Sequence, residues 1–244
     1  AELCLAFGAK VQLNARVDSI DELKAQGFTD VVVATGAWMP GSAGLGEGAE
    51  LDVLEFLEAA KKGEKLELGE DVVVIGAGNT AMDAARLAKR SGAESVTLVY
   101  RRTRKYMPAD EHELALALAD GVTFAELAAP VKQADGVLKC EKMVLGEPDE
   151  SGRRRPVEKK GSEFDLSVDA VIMSLGTSPN PLIKSTTKGL EVNKKGGIIV
   201  NEEGLTSRQA VYAGGDAVTG AATVILAMGA GKLGAKSIDE YLSK

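Results

Sequence analysis

The strongest constraint on the fold is an apolar run that ends in a glycine-containing turn and continues into an alanine-rich segment. Residues 72–75 read Val-Val-Val-Ile, and residues 76–81 read Gly-Ala-Gly-Asn-Thr-Ala. A continuous β-branched run is typical of a parallel strand covered on both faces. Such glycines permit a tight strand-to-helix turn and let backbone N–H groups at the helix start approach a pyrophosphate. This context predicts a dinucleotide site, and its candidate phosphate-binding residues are Gly76, Gly78, Asn79, Thr80 and Ala81.

The next predicted strand, residues 94–100, runs directly into Arg101 and Arg102. About 20 residues after the glycines, an acidic residue binds the ribose hydroxyls of NAD, whereas arginine accommodates the 2′-phosphate of NADP. No Asp or Glu lies between Ser95 and Lys105. The pair therefore favours NADP(H), with a solvated basic turn as the alternative reading.

Composition disfavours several other classes of protein. The sequence has 244 residues, of which 45% are hydrophobic, enough for a core in one large or two small domains. A net charge of −7, with no aromatic residues beside Arg153–Arg155, argues against nucleic-acid binding. No long, strongly apolar run suggests a membrane segment and no secretory signal is visible, so we expect a cytoplasmic protein.

Cysteine and histidine content argues against thiol and metal chemistry in this sequence. Cys4 and Cys140 are far apart, so a Cys-x-x-Cys dithiol and a four-thiolate iron–sulfur cluster are both missing. His112 is the only histidine, and we expect it on the surface of a helix that Asp110 caps, with Glu113 as the reciprocal partner. We therefore predict no metal site and no catalytic role for His112.

The rest of the chain alternates strands and helices before a series of β segments. Residues 30–36 predict a buried strand ending at Gly36, and residues 169–176 repeat that pattern and end at Gly176. The other predicted elements are a helical tail at 1–9, a short strand at 11–14, a helix capped by Ser19, a flexible linker at 40–48, helices at 51–62 and 109–120, β segments at 121–124, up to 131, at 137–145 and at 164–166, and a hairpin tip at 147–153.

A third informative segment lies near the C-terminus. A strand at 210–213 leads through Gly214, Gly215 and Asp216 towards a helix rich in small residues. This order can place a carboxylate beside a polyol and a helix N-terminus beside an anion. Equally, Asp216 can simply cap a turn, and the residues alone leave both readings open.

Together these motifs resemble the two-dinucleotide-binding flavoproteins. The motifs are Val-Ile-Gly-Ala-Gly-Asn-Thr-Ala-Met-Asp at 74–83, Tyr-Arg-Arg at 100–102, Met-Pro-Ala at 107–109, Ala-Thr-Gly-Ala-Trp at 34–38 and Ala-Gly-Gly-Asp at 213–216. Within that group the sequence is most similar to the small subunit of NADPH-dependent glutamate synthase, the electron-input region of dihydropyrimidine dehydrogenase and a related selenate reductase subunit.

The resemblance implies an α/β fold in which a Rossmann-like parallel-sheet NADPH-binding domain with a β-meander, residues 50–193, is inserted in a partial FAD-binding domain, residues 1–49 and 194–244. It implies that Gly36 and Gly176 end crossover strands beside the cofactors. Asp216, beside Gly215, then contacts the FAD ribityl chain, while Ala222 and Thr223 begin the helix that faces the flavin. The implied chemistry is hydride transfer from NADPH to FAD, followed by electron transfer to iron–sulfur centres in a partner domain or subunit.

One family feature is missing from the sequence. The resembling flavoproteins begin with their own Gly-x-Gly-x-x-Gly motif for FAD, and this sequence starts without one. We therefore expect the chain to be a fragment that binds FAD poorly on its own. The alternative function is an NADPH-binding or interaction module without redox turnover.

Overall fold

The computed structural model describes residues 2–46, 50–148, 150, 152 and 154–243. In chain order its helices and strands are α1 (Glu2–Ala6), α2 (Ile20–Ala25), β1 (Val31–Val33), β2 (Met39–Pro40), β3 (Glu50–Asp52), α3 (Val53–Lys61), β4 (Asp71–Ile75), α4 (Asn79–Arg90), β5 (Ser95–Tyr100), α5 (Glu111–Ala119), β6 (Thr123–Glu126), β7 (Ala128–Ala134), β8 (Val137–Pro148), β9 (Arg154–Glu158), β10 (Phe164–Ser167), β11 (Ala170–Met173), β12 (Thr177–Ser178), α6 (Leu182–Thr186), β13 (Val211–Ala213), α7 (Asp216–Thr219) and α8 (Val224–Leu242).

The chain divides into two compact units. The central unit comprises residues 40–176, and the terminal unit comprises residues 1–39 and 177–244. These limits differ from the sequence-based ones because two side chains pack on the other side of the expected boundaries. Leu45 is buried in the core of the central unit beside Val73, and Leu190 is buried in that of the terminal unit beside Val31.

The predicted linker at 40–48 contains an anchored segment. Leu45 is 2% exposed, its N–H donates to Glu50 Oε1 at 3.0 Å, and its carbonyl accepts from the Gln133 N–H at 3.0 Å. The prediction of a flexible linker is wrong around Leu45, because its buried side chain and two backbone hydrogen bonds hold the segment in place. Residues 47–49 lie outside the described residues.

The central unit is built on a parallel sheet with the strand order β3-β11-β4-β5-β6. Residues 72–75 of β4 are at most 3% exposed, as expected of a strand covered on both faces. Helices α3, α4 and α5 cover one face, and the antiparallel sheet of β7, β8 and β10 packs on the other. The predicted α/β fold with its β-meander is therefore confirmed.

Helix α4 packs closely on this sheet because four of the five residues on its inward face are alanines. Its buried residues are Ala81, Met82, Ala84, Ala85 and Ala88. Small side chains let the helix backbone approach the strands, so the turn before the helix is held at a fixed position relative to β4 and β5.

The predicted hairpin is present, with β8 ending at Pro148 and β9 starting at Arg154. Within its tip, residues 149, 151 and 153 lie outside the described residues. The predicted cap of α5 is present too, since the Asp110 side chain accepts from the His112 N–H at 2.8 Å. The prediction that Glu113 is the reciprocal partner of this cap is wrong. The Glu113 carboxylate lies 3.7 Å from the Arg86 guanidinium, and the Asp110 N–H donates to Asn79 Oδ1 instead.

The terminal unit pairs β1 with β13 in parallel around a smaller core. The predicted N-cap at Ser19 is confirmed, since its hydroxyl accepts from the Asp21 N–H at 3.1 Å. The prediction of a strand at 11–14 is wrong. These residues are described and pair with no other strand, and Asn14 has a φ of +54°, which is incompatible with extended backbone.

Candidate functional site

The turn between β4 and α4 depends on two glycines for different reasons. Gly76 has a φ of +138°, and a Cβ built on it would lie 2.2 Å from the Ser174 carbonyl oxygen. Glycine is therefore needed here for the packing of the sheet itself. Gly78 has ordinary extended backbone, and a Cβ there would meet nothing within 4 Å. The space in front of Gly78 is consequently open to a ligand.

The N-terminus of α4 opens onto that space. Its N-cap residue is Gly78, which supplies no side-chain oxygen to cap the first helical N–H groups. Asn79 and Thr80 are exposed there. Ala81 differs from them, because its side chain is buried and its N–H already donates to the Gly78 carbonyl at 2.9 Å. The donors available to an anion are thus those at the very start of the helix.

The arginine pair lies at the same edge of the sheet. Strands β4 and β5 are parallel neighbours, with Ile75 opposite Val99, so the segments after both strands emerge together. Arg101 is exposed and Arg102 is half-buried. Arg102 Nε is buried and has no hydrogen-bond partner among the residues that the structure describes. A buried guanidinium donor without a partner suits an anionic ligand at this edge.

The segment that follows the arginines is held to the glycine turn. The Ala109 N–H donates to the Ala77 carbonyl at 3.0 Å, and the Asp110 N–H donates to Asn79 Oδ1 at 3.1 Å. Asn79 therefore uses its side-chain oxygen to fix the start of α5 beside the start of α4. That contact leaves its backbone N–H at the opening of the helix.

The terminal unit contains a cavity of about 270 Å³. Its walls include five of the predicted cofactor-binding residues, namely Gly36, Gly215, Asp216, Ala222 and Thr223. Gly176, predicted beside the cofactors as well, belongs to the central unit, where its carbonyl accepts from the Gly41 N–H at 2.9 Å. The structure thus gathers the five candidates in one cavity and does not place Gly176 on its walls.

Asp216 and Thr223 also have local structural roles. Asp216 begins α7, and its Oδ1 accepts from the Ala222 N–H at 3.2 Å. The Thr223 hydroxyl caps α8 by accepting from the Leu226 N–H at 3.4 Å. The turn-capping reading of Asp216 is therefore correct in part, and its position on the cavity wall is compatible with a ligand role.

Small residues on α8 were missed in the sequence, although they form one wall of the cavity. Ala227, Ala230, Gly231 and Gly234 line it at three- and four-residue intervals. A Cβ built on Gly214 would lie 3.1 Å from the Ala230 Cβ, so β13 and α8 approach closely at this point. The helical spacing of small residues was the signal that could have identified this wall.

The remaining titratable groups include the single histidine of the sequence. His112 is exposed on α5, as predicted for a surface residue. Over the ranges that the structure describes, no group of three or more His, Cys, Asp or Glu side chains is arranged to hold a metal ion. Within those ranges, every helix is too short or too polar to cross a bilayer.

Residues 5–231 match the family described as pyridine nucleotide-disulphide oxidoreductase. The chain belongs to this family. A formate dehydrogenase subunit from Moorella thermoacetica, named as the NADP(+)-dependent beta subunit, is 39% identical over 99% of this chain and 36% of the relative. The NADPH glutamate synthase small chain of Halomonas elongata is 40% identical over 71% of this chain and 39% of the relative. The chain thus spans less than half the length of these two relatives.

Solved structures share the fold of this chain. FprA from Mycobacterium tuberculosis, solved in complex with NADPH, superposes with a TM-score of 0.72 over 92% of this chain and 66% of that chain, at 18% identity. Family membership and this shared fold confirm the resemblance inferred from the motifs. The cavity and the glycine turn therefore belong to a member of the pyridine nucleotide-disulphide oxidoreductase family.

Proposed function

We propose that this family member is the NADPH-entry module of a larger oxidoreductase. In this proposal the central unit binds NADPH, the terminal unit binds FAD, and electrons leave towards iron–sulfur centres in another domain or subunit. The observation that carries the proposal is the edge of the central sheet where the parallel strands β4 and β5 end. There α4 starts without a side-chain cap, and the buried Arg102 Nε has no hydrogen-bond partner among the described residues.

The central unit suits a phosphorylated dinucleotide. Gly78 leaves room for a diphosphate against the helix start, and the first N–H groups of α4 supply donors and the positive end of the helix dipole. Arg101 and Arg102, at the end of the neighbouring strand, supply the charge that a 2′-phosphate requires. The names of the two relatives, one NADP(+)-dependent and one an NADPH glutamate synthase chain, support this choice of coenzyme.

The terminal unit suits part of a flavin dinucleotide. Its cavity is walled by small and apolar residues, including Val32, Ala34 and Ala227, with the Asp216 carboxylate on the wall. Ligand sites commonly combine an apolar lining with a few polar groups that fix orientation. We infer that Asp216 binds a ribityl hydroxyl and that the start of α8 lies near the flavin ring.

Nicotinamide and flavin, when bound, supply hydride transfer and its conversion into single-electron steps. The chain's own residues bind the two cofactors and orient them. N–H groups around Gly78 hold the diphosphate, Arg101 and Arg102 hold the 2′-phosphate, and Val32 and Ala34 exclude water from one side of the cavity. No side chain needs to move a proton in this scheme, and catalysis rests on alignment.

The coenzyme assignment is tested by titrating the purified chain with NADPH and with NADH. We expect wild-type chain to prefer NADPH and Arg101→Ala/Arg102→Ala to lose about ten- to hundredfold in NADPH affinity, because charge-assisted hydrogen bonds to a phosphate disappear. NADH affinity should change little. Arg154→Ala/Arg155→Ala, which removes two exposed arginines from β9, is the charge-matched control. Equal affinity for both coenzymes in wild type, or no binding of either, contradicts the assignment.

The flavin assignment is tested by adding FAD to the same chain. Trp38 is the only tryptophan, and its indole lies against Gly36 on the cavity wall, so its fluorescence should report FAD binding. We expect Asp216→Ala to weaken the response. A chain that binds NADPH, remains colourless and gives no response to FAD would instead support the module without redox turnover.

A further inference from the structure

The loop at 101–106, which carries the arginine pair, is closed by the side chain of Tyr100. Tyr100 is the last residue of β5, and its ring is 8% exposed. The ring stacks on Phe124 of the neighbouring strand, with centroids 6.3 Å apart and planes inclined by 20°. Its hydroxyl donates to the Tyr106 carbonyl oxygen at 2.7 Å. A rigidly held phenol therefore bridges the two ends of the loop at 101–106.

Further hydrogen bonds fix the backbone inside this loop. The Leu127 N–H donates to the Arg102 carbonyl at 3.1 Å, and the Tyr106 N–H donates to the Thr103 carbonyl at 2.8 Å. Arg104, on the far side of the loop, is paired with Glu111 at the start of α5. The backbone beneath Arg101 and Arg102 is thus held from both sides, while the Arg102 Nε stays without a partner in the described residues.

This arrangement matters because arginine side chains lose much conformational freedom when they bind a ligand. A backbone that is already fixed reduces the ordering that binding requires, and the affinity rises accordingly. The hydrogen bond from the Tyr100 hydroxyl ends at the Tyr106 carbonyl and spans the two arginines. Its contribution should therefore apply to the 2′-phosphate and not to the rest of the dinucleotide.

We propose that Tyr100 is a positioning residue for coenzyme selectivity, whose hydroxyl fixes the loop that presents Arg101 and Arg102 to the 2′-phosphate. This inference rests on the proposed NADPH function. It predicts that the Tyr100 hydroxyl affects discrimination between NADPH and NADH. A hydroxyl with a purely structural role would affect the binding of both coenzymes equally.

The test compares Tyr100→Phe with Tyr106→Phe in the full chain. Tyr100→Phe deletes the bridging hydroxyl and keeps the ring on Phe124. Tyr106→Phe deletes a hydroxyl from the same loop but keeps the carbonyl that accepts the bridge. We expect Tyr100→Phe to weaken NADPH binding about three- to tenfold, the range for one hydrogen bond, with NADH affinity within about twofold of wild type. Tyr106→Phe should leave both affinities within about twofold.

A double-mutant cycle provides the second measurement. In the Arg101→Ala/Arg102→Ala background, Tyr100→Phe should have no further effect on NADPH affinity, because the groups that it positions are gone. Equal losses for NADPH and NADH, an unchanged affinity ratio, or the same loss in that background would overturn the inference. Failure of the proposed function is distinguishable, since it appears already as a wild-type chain without preference for NADPH.

Discussion

The helices that follow the two candidate sites differ sharply in how they are packed. In the central unit, α4 has 12 residues and buries Ala81, Met82 and three further alanines against the sheet. In the terminal unit, α8 has 19 residues, and Gly234 is the one that it buries. The first residues of α8 are instead strongly exposed, with Val224 at 75% and Ile225 at 80%.

This contrast shows two ways of building a site. The glycine turn of the central unit is held by a sheet with both faces covered, so its geometry is set by the unit's own core. The cavity of the terminal unit is walled by small residues on a helix whose apolar start lies in solvent. Large exposed apolar patches mark binding surfaces. On the proposed function, FAD is the ligand expected to cover part of this surface.

The largest expected effect separates the two glycines of the central turn. Gly76→Ala places a methyl group 2.2 Å from the Ser174 carbonyl at a φ of +138°, so we expect a loss of about 3–6 kcal/mol in unfolding free energy. Gly78→Ala meets open space, so stability should stay within about 0.5 kcal/mol while NADPH affinity falls at least about tenfold. Chemical denaturation and coenzyme titration measure the two effects.

A Gly78→Ala chain that binds NADPH as wild type does would place the diphosphate elsewhere. A Gly76→Ala chain of normal stability would show that strand β11 does not hold the turn. Either result removes the distinction between a glycine needed by the sheet and a glycine needed by the ligand.

The next effect compares a leucine of the central core with an isoleucine of α8. Leu98 in β5 is fully buried, so Leu98→Ala should cost about 2–5 kcal/mol in unfolding free energy. Ile225→Ala removes a side chain that is 80% exposed and should cost less than about 0.5 kcal/mol. Thermal or urea unfolding of both variants checks this. Similar losses would mean that the start of α8 is covered in solution.

Much of the central unit could be predicted because its signals are local. A β-branched run, two glycines and an alanine-rich helix lie next to one another in the sequence, and strand 72–75 and the helix from Asn79 are confirmed. The arginine pair follows the next parallel strand, as its position after the glycines indicated. What these motifs bind is part of the proposed function.

The features that were missed depend on contacts between distant residues. Leu45 joins the central core through Gln133, and the Asp110 N–H finds Asn79 in place of the expected Glu113. Neither partner can be read from a window of neighbouring residues. The cavity wall on α8 escaped prediction for the same reason, because it depends on which surfaces meet after folding.

The two cysteines allow the units to be compared by chemical reactivity. Cys4, in the terminal unit, is exposed, and Cys140, in the central unit, is buried. Burial, with a smaller effect of Asp165, raises the pKa of the Cys140 thiol from 9.0 to about 11. That rise lowers the thiolate fraction about a hundredfold near pH 8, in addition to steric protection.

We therefore expect a thiol reagent to label the native chain at Cys4 quickly and at Cys140 at least about a hundredfold more slowly. Denaturant should equalise the two rates, and Cys140→Ala should remove the slow phase. Rapid labelling of both thiols in the native chain would mean that the core around β8 opens readily.

The smallest effect concerns a carboxylate at the start of the central sheet. Asp169 Oδ2 accepts from the Asp71 N–H at 3.0 Å and from the Glu70 N–H at 2.7 Å, and these bonds lower the pKa of Asp169 below 3.8. A pKa that is lower in the folded state stabilises the fold at pH values above the unfolded-state pKa, and this contribution disappears as the pH falls through the folded-state pKa.

Asp169→Asn should therefore lower the thermal midpoint by a few degrees at neutral pH, and the difference from wild type should shrink steadily below about pH 4. Asp165→Asn, which removes an exposed charge paired with Lys139, is the matched control and should change the midpoint little at any pH. Parallel midpoint curves for wild type and Asp169→Asn across this range would show that the two backbone bonds do not depend on the charge, and the entry of β4 into the sheet would then rest on apolar packing alone.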